Sequence, residues 1–409
     1  MSSKLLYKQL LFDLLMFLFL CISGNPVFNQ GLIGKSVFLI MLLVLLAICN
    51  FKITMQCWKT MLFWVIFLVV IFFFQLINLG HITWLGSANF IVKMLCAILF
   101  AFLMGDRLRS SALRVMFVIC LISFIFYPFN LVGIRFPEVV DIHSKSESLI
   151  IYTQTWLDEV TGIYRNSGMF WEPGAFAGYI ISVLLLYIDR LDELWTQHRV
   201  KTIVLLMALL TTLSTTGYIV LAILIVYFAT KYIRRKKLAI VISFFLLIAF
   251  VSVFTQLDFL GAKIQDQIEN AETINDLTLN YSRIGSVLFD AEYIAANPLF
   301  GNGLDNSTRF RFHTSIFDND QLSGFGNGFT GCVASMGLIF MIAYLLAIFN
   351  NPSLRNRWIV LLVVILLLQG EYFLNYPFFM LFPFVDFGSV KREKINRIKF
   401  VWKRAESHE

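Results

Sequence analysis

Charge is scarce in this chain. Of 409 residues only 14% are Asp, Glu, Lys or Arg, against 58% hydrophobic and 43 phenylalanines, which is too little polar surface for one water-soluble globule of that length. A large soluble domain is excluded. The formal net charge of +7 would suit a nucleic-acid binder, but no long stretch has the polar, basic surface that such binding needs. Cysteine is sparse as well. The six (Cys21, Cys49, Cys57, Cys96, Cys120 and Cys332) lie in or beside apolar runs with no metal-ligand spacing, and the long polar stretches contain none, which excludes a disulfide scaffold and a zinc site. Also missing are an internal repeat and any Gly/Ser-rich or Pro-rich linker.

What the chain has instead is apolar runs. They fall at roughly 5–22, 36–49, 60–79, 90–104, 113–131, 173–188, 201–214, 216–231, 238–255, 327–349, 357–369 and 371–387, twelve candidate spans at about 20 residues per crossing. Lys4 and Lys8 precede the first run as in a signal peptide, but no small-residue cleavage site follows, so it reads as an uncleaved first helix. Several runs are short, and the pair covering 357–387 could be re-entrant or broken.

Orientation follows from the basic residues. With both termini inside, the cytoplasmic segments hold 24 Lys and Arg and the outer loops eight: Lys35, Arg135, Lys145, Arg165, Lys263, Arg283, Arg309 and Arg311. Lys93 is left inside a span. This three-to-one bias predicts an even number of crossings and cytoplasmic termini. The outer side so assigned carries 8 basic and 17 acidic residues, so its few arginines stand out. The chain reads as one integral membrane domain over 1–409, all-α and polytopic, with two long outer loops at 132–172 and 256–326. Both loops keep Trp, Tyr, Phe, Ile and Leu and should pack on the membrane domain.

Chemistry has three places to live. The first is RNSGMFWEPGAFAGY, residues 165–179. Pro173 suits the first turn of the sixth span, which puts Glu172 at a helix N-terminus. There it serves either to complement the helix dipole or as a fixed base near an arginine able to hold a phosphate bidentately. Gly168, Gly174 and Gly178 permit close approach of backbone or ligand. The second is TTLSTTGYI, residues 211–219, which favours a tight turn satisfying its own backbone. The third runs from Arg283 through NPLFGNG (297–303), Arg309, Arg311 and His313 to GFGNGF (324–329). Within it, 281–297 has helical periodicity, with Ile284, Val287, Leu288, Ala291 and Ala295 on one side and Arg283, Ser286, Asp290 and Asn297 on the other. That pattern predicts an interfacial helix lying on its apolar face, stopped by Pro298, with Asp290 placed to neutralise Arg283. Gly301 and Gly303 weakly resemble a phosphate-cradling loop.

Together the three elements resemble the O-antigen polymerase and O-antigen ligase superfamily of bacterial multi-span glycosyltransferases. The most specific piece is the pattern filled by Arg165, Gly168, Phe170, Glu172, Pro173, Gly174, Phe176 and Ala177. The resemblance implies a GT-C-like glycosyltransferase architecture, with short interfacial helices in periplasmic loops. It also implies a bacterial inner-membrane location and an undecaprenyl-diphosphate-linked oligosaccharide as donor and acceptor, with membrane lipid around it. The flippase and chain-length regulator of the same pathway would be partners. No nucleotide sugar, cofactor, metal or nucleic acid is implied, and Asp318-Asn319-Asp320 reads as a solvated turn. By resemblance Arg165 and Arg283 stabilise the departing diphosphate, and Glu172 first and His313 second are candidates for the acceptor-activating base. Tyr281, Asn297, Gly301, Gly303, Arg309, Arg311 and Asn327, with Gly168 and Gly174, would bind substrate.

Ligases of the superfamily carry a His beside Asn in the second long loop. The matching stretch here is Gly326-Asn327, without the His, which favours a polymerase. A flippase for the same lipid-linked glycans would scatter ionisable residues through its spans. Only Lys93 and Asp13 do so here, which favours an outer-face enzyme over a conduit.

Overall fold

The computed structural model describes residues 3–29, 31–49, 53–137, 140–142, 146–155, 157, 162–232, 283–312 and 327–385. These residues are mostly helical. The first half is a run of apolar helices: α1 (Ser3–Gly24), the single turn α2 (Pro26–Asn29), α3 (Gly31–Ile48), α4 (Met55–Leu79), α5 (Trp84–Met104) and α6 (Arg107–Leu131). After a small sheet come α7 (Pro173–Leu185), α8 (Leu191–Gln197), α9 (Arg199–Thr211) and α10 (Thr215–Tyr232). The second half has α11 (Arg283–Ala296), the turn α12 (Asn306–Arg309), α13 (Gly328–Phe349), α14 (Arg357–Gly370) and the turn α15 (Pro377–Met380). Among the described residues five helices are long and apolar enough to cross a membrane: Leu6–Gly24, Met55–Leu79, Trp84–Met104, Arg107–Leu131 and Gly328–Phe349. Ser36–Ile48, Pro173–Leu185, Thr215–Lys231 and Arg357–Gly370 are shorter apolar helices. The ninth expected span, 238–255, lies outside the described residues.

Local chemistry sets the helix ends. Thr54 caps α4 by accepting from the Cys57 N–H at 3.3 Å, and Gly80 closes it in the left-handed region (φ 71°). Pro173 occupies the first turn of α7 as its missing N–H allows. The outward faces are apolar: on α4, Leu62, Phe63, Ile66, Val69, Val70 and Phe73 are exposed while Trp64, Leu68, Ile71, Phe72 and Gln75 are buried. Such a surface is at home in lipid rather than water. Helix α7, apolar all round, is buried along its length apart from Gly174. Around it α6 packs on α1 and α9, α5 on α3 and α4, α10 on α7 and α14, and α13 on α11 and α14.

An alternative left open is decided and two expectations are corrected. The segment 371–387 is not a continuous helix over its described part. It is two single turns, Phe373–Asn375 and Phe382–Phe384, on either side of α15, and it packs against α5 and α13. Pro377 and Pro383, each in the first positions of its own short turn, interrupt the backbone ladder. Among its described residues the first long loop carries, in place of an interfacial helix, a three-stranded antiparallel sheet of β1 (Val140–Ile142), β2 (Ser146–Ser148) and β3 (Thr153–Thr155), pairing Val140 with Ser148 and Ser146 with Thr155. Helix α11 forms where the periodicity placed it, but with its faces reversed. Leu288 is 55% exposed and Ala291 and Ala295 are exposed, while Ser286, Asp290 and Tyr293 are buried against α13. The apolar side faces away from the protein, and the polar side finds its partners inside it.

Candidate functional site

The RNSGMFWEPGAF motif is built into a corner. Strand β3 runs beside it: Thr153 N–H donates to Gly168 O at 2.6 Å and Thr155 Oγ1 to Arg165 O at 2.7 Å. Asn166 Nδ2 reaches Ser123 and Thr211, and its Oδ1 accepts from Gly168 N–H. Arg165 then points at the turn between α9 and α10. Its Nε donates to Thr212 O at 3.1 Å and an Nη to Leu213 O at 3.2 Å. Leu213 has φ 49°, a region costly for a branched side chain, and the guanidinium holds the carbonyls that this turn leaves unpaired. The TTLSTTG turn is thus only partly self-satisfied, through Thr212 and Ser214. The first two motifs form one joint.

At the end of that motif two carboxylates converge. A Cβ on Gly174 would lie 2.9 Å from Glu172 Oε1 and 3.1 Å from Glu371 Oε1, so the two groups approach within about 6 Å from different elements. Trp171 stacks on Tyr376 at 4.5 Å beside them.

The third motif folds around a kink. Gly337 breaks α13 with φ 84°, and the 297–303 loop fills the break. Asn302 N–H donates to Ala334 O and Gly303 N–H to Ser335 O, while Leu338 and Ile339 N–H groups donate back to Pro298 O and Leu299 O. Gln75 of α4 adds bonds to Phe300 O and Ser335 O. A Cβ at Gly337 would run into the Leu299 carbonyl. The Gly301 N–H is taken by Asn297 O and the Gly303 N–H by Ser335 O, so neither amide faces outward as a phosphate cradle. Asn297 itself donates to Asn302 Oδ1.

Beside the kink the arginines separate. Arg309, 5% exposed, pairs with buried Asp290, which also accepts from the Thr330 hydroxyl at 2.6 Å. Its Nε donates to Ser335 Oγ at 3.1 Å. The expected pairing of Asp290 with Arg283 falls on a side chain outside the described ones. Burial pushes the Asp290 carboxyl above the usual carboxylate range, against the pull of Arg309 and Thr330. Arg311 is half-buried, over the Phe312 ring. Asn327 caps α13 through Oδ1, accepting from Phe329 and Thr330 N–H, and donates to Gln369 Oε1 at 2.6 Å. There the backbones nearly touch, for a Cβ on Gly328 would collide with the Glu371 carbonyl. Tyr281 and His313 lie outside the described residues, and of the Arg283 side chain nothing is described beyond its place at the start of α11.

Between α5, α12, α13 and the broken segment lies a cavity of about 400 Å3. Gly86, Asn89, Phe90 and Lys93 line it from one face of α5, Asn327, Gly331 and Ser335 from one face of α13, Arg309 from α12, and Tyr372 and Asn375 from the broken segment. Lys93 is 7% exposed and donates to Asn375 Oδ1 at 2.9 Å. Among the described residues Arg309 Nη1 and Asn89 Oδ1 are buried without a partner. Two cations and unsatisfied polar atoms around a cavity of this size can take a polar, anionic ligand. Of the expected residues the cavity gathers Arg309 and Asn327. It does not gather Arg165 or Glu172. The sequence reading missed Asn89, Lys93, Ser335, Tyr372 and Asn375, although polar groups at Asn89 and Lys93, one helical turn apart on an apolar span, were a usable signal.

A family model described as O-Antigen ligase matches residues 200–330. The match supports the O-antigen polymerase and ligase superfamily, whose members are membrane glycosyltransferases and ligases, and it does not distinguish polymerase from ligase. No curated protein and no solved structure matches the chain. The matched region includes α9 to α12 and the start of α13, and with them Arg283, Arg309 and Asn327. Arg165, Glu172 and Lys93 lie before it. The match and the apolar helices together point to a bacterial membrane protein, and the family that the model describes implies lipid-linked glycan substrates.

Proposed function

We propose that the protein is an O-antigen polymerase. It joins undecaprenyl-diphosphate-linked oligosaccharide repeat units on the periplasmic face of the inner membrane, with both termini cytoplasmic, and works without metal or cofactor. The observation that carries this reading is the cavity in which buried Lys93 and Arg309 meet, a setting for the negative charge of a lipid diphosphate. In the reaction the acceptor hydroxyl attacks the anomeric carbon of the donor, the carbon–oxygen bond to the diphosphate breaks, and the lipid diphosphate leaves. Cations preorganised in a water-poor site stabilise the charge that gathers on the departing diphosphate. Holding both lipid-linked glycans at one surface supplies much of the remaining acceleration. The acceptor proton passes to a carboxylate, with Glu172, paired across Gly174 with Glu371, as its first candidate.

A ligase reading is favoured by the description of the matching family model, and the polymerase reading by the absence of a His beside Asn327. Deletion of the gene separates them. The expected result is surface glycolipid bearing single repeat units on a gel. Loss of all surface glycan points instead to a ligase or a flippase, and an unchanged ladder overturns the reading.

A further inference from the structure

Lys93 has no place in either of the carboxylate-bearing motifs, and its surroundings are odd for a structural lysine. It is the tenth residue of α5, about 14 Å along the axis from Trp84 at 1.5 Å per residue, which is near mid-depth for a crossing helix. A lysine so placed is expensive and normally pairs with a carboxylate. Among the described residues the ion pairs are Arg114–Asp13, Arg190–Glu193, His198–Glu193 and Arg309–Asp290, and none uses Lys93. Its ammonium has the Asn375 carbonyl oxygen at 2.9 Å and the Phe38 ring at 4.8 Å from its centroid. Neither neutralises it, and an ammonium has three protons to donate.

Arg309 is the complementary half. Asp290 and Ser335 take one edge of its guanidinium, and Nη1 is left buried without a partner among the described residues. The cavity therefore offers donors from two directions, an ammonium on the helix wall and a guanidinium nitrogen on the loop side. A compact ligand with several charged oxygens fits that arrangement, and 400 Å3 exceeds what a single phosphate fills.

We infer that Lys93 and Arg309 together hold the diphosphate of the lipid-linked donor, with Lys93 as the ligand inside the span. This rests on the polymerase reading for the source of the diphosphate and on the cavity alone for its chemistry.

The test uses the full chain in lipid nanodiscs, with undecaprenyl diphosphate, undecaprenyl monophosphate and inorganic diphosphate as probes. The expected result is that the wild type binds undecaprenyl diphosphate more tightly than the monophosphate. Lys93→Met should lose at least tenfold in that affinity while Lys93→Arg stays within a fewfold. Without ligand, Lys93→Met should melt at the wild-type temperature or above, because an unneutralised buried charge has gone. A loss below tenfold overturns the assignment, and so does a lower melting temperature with unchanged affinity, which would make Lys93 a tie to Asn375. Binding of inorganic diphosphate but not of the lipid overturns it as well. The two readings fail separately. If Lys93→Met loses diphosphate while the deletion strain keeps its full glycan ladder, the anion site stands and the polymerase falls. If the deletion strain displays single repeat units and Lys93→Met binds as wild type, the reverse holds.

Discussion

Asp290 and Arg309, 19 residues apart in sequence, form an ion pair closed off from solvent between α11, α12 and α13. The pair fixes one face of the guanidinium and so aims the other at the cavity. Removing one partner leaves a buried charge without compensation, at roughly 3 to 5 kcal/mol. Asp290→Asn should therefore lower the thermal unfolding midpoint of the purified protein strongly. The double substitution Asp290→Asn with Arg309→Gln should recover part of that loss. A double variant whose loss equals the sum of the losses in Asp290→Asn and Arg309→Gln would mean that the pair is not coupled.

Gly337 meets the 297–303 loop backbone to backbone. Gly337→Ala adds a methyl group where the Leu299 carbonyl sits, at a φ of 84°, and the left-handed conformation alone costs about 1 to 3 kcal/mol. The variant should be expressed at low level and be cut by protease within the 297–303 loop, whose hydrogen bonds depend on the kink. Wild-type protease resistance would show that the close approach is dispensable.

Arg165 touches the α9–α10 turn with two charged hydrogen bonds. Their loss in Arg165→Ala is expected to cost roughly 2 to 4 kcal/mol and to lower glycan polymerisation at the same time. Arg165→Lys, which lacks the planar fork, should fall between. If Arg165→Ala abolishes polymerisation with no change in unfolding midpoint, Arg165 acts on substrate and not on the turn.

Asp305 gives a pH dependence. Burial raises its carboxyl, but hydrogen bonds from the Ser307 hydroxyl and N–H and from the Thr83 hydroxyl, with His81 nearby, outweigh that and hold it below the usual carboxylate range. A depressed folded value means the stabilisation is full above the unfolded value of about 4 and is lost as pH falls through the folded value. Asp305 caps the turn that carries Arg309. The wild-type protein should thus lose stability between about pH 4 and lower values by more than Asp305→Asn does, as measured by unfolding midpoint against pH.

The apolar runs placed the candidate spans Met55–Leu79 and Arg107–Leu131 to within about six residues at their starts, because about twenty lipid-compatible side chains admit little else. Pro173 and Pro298 marked a helix start and a stop through the missing N–H. The resemblance carried by Arg165 to Ala177 led to the same superfamily as the match at 200–330. The periodicity of α11 was legible too, but not which face is buried. Amphipathic spacing is symmetrical between a helix lying on a core in water and one turning its polar side inward from lipid, and only the neighbours of Asp290 and Ser286 decide.

What the sequence determined by itself is therefore the class of molecule: a helical membrane protein. What only the tertiary structure decided is where the arginines spend their donors. Arg165 goes to a turn, Arg309 to Asp290 and a cavity, and Lys93 is brought to that same cavity by α5. Residues 93, 309, 327 and 375 are far apart along the chain, and no local spacing encodes a meeting that arises from helix packing around the Gly337 kink and the break after Gly370.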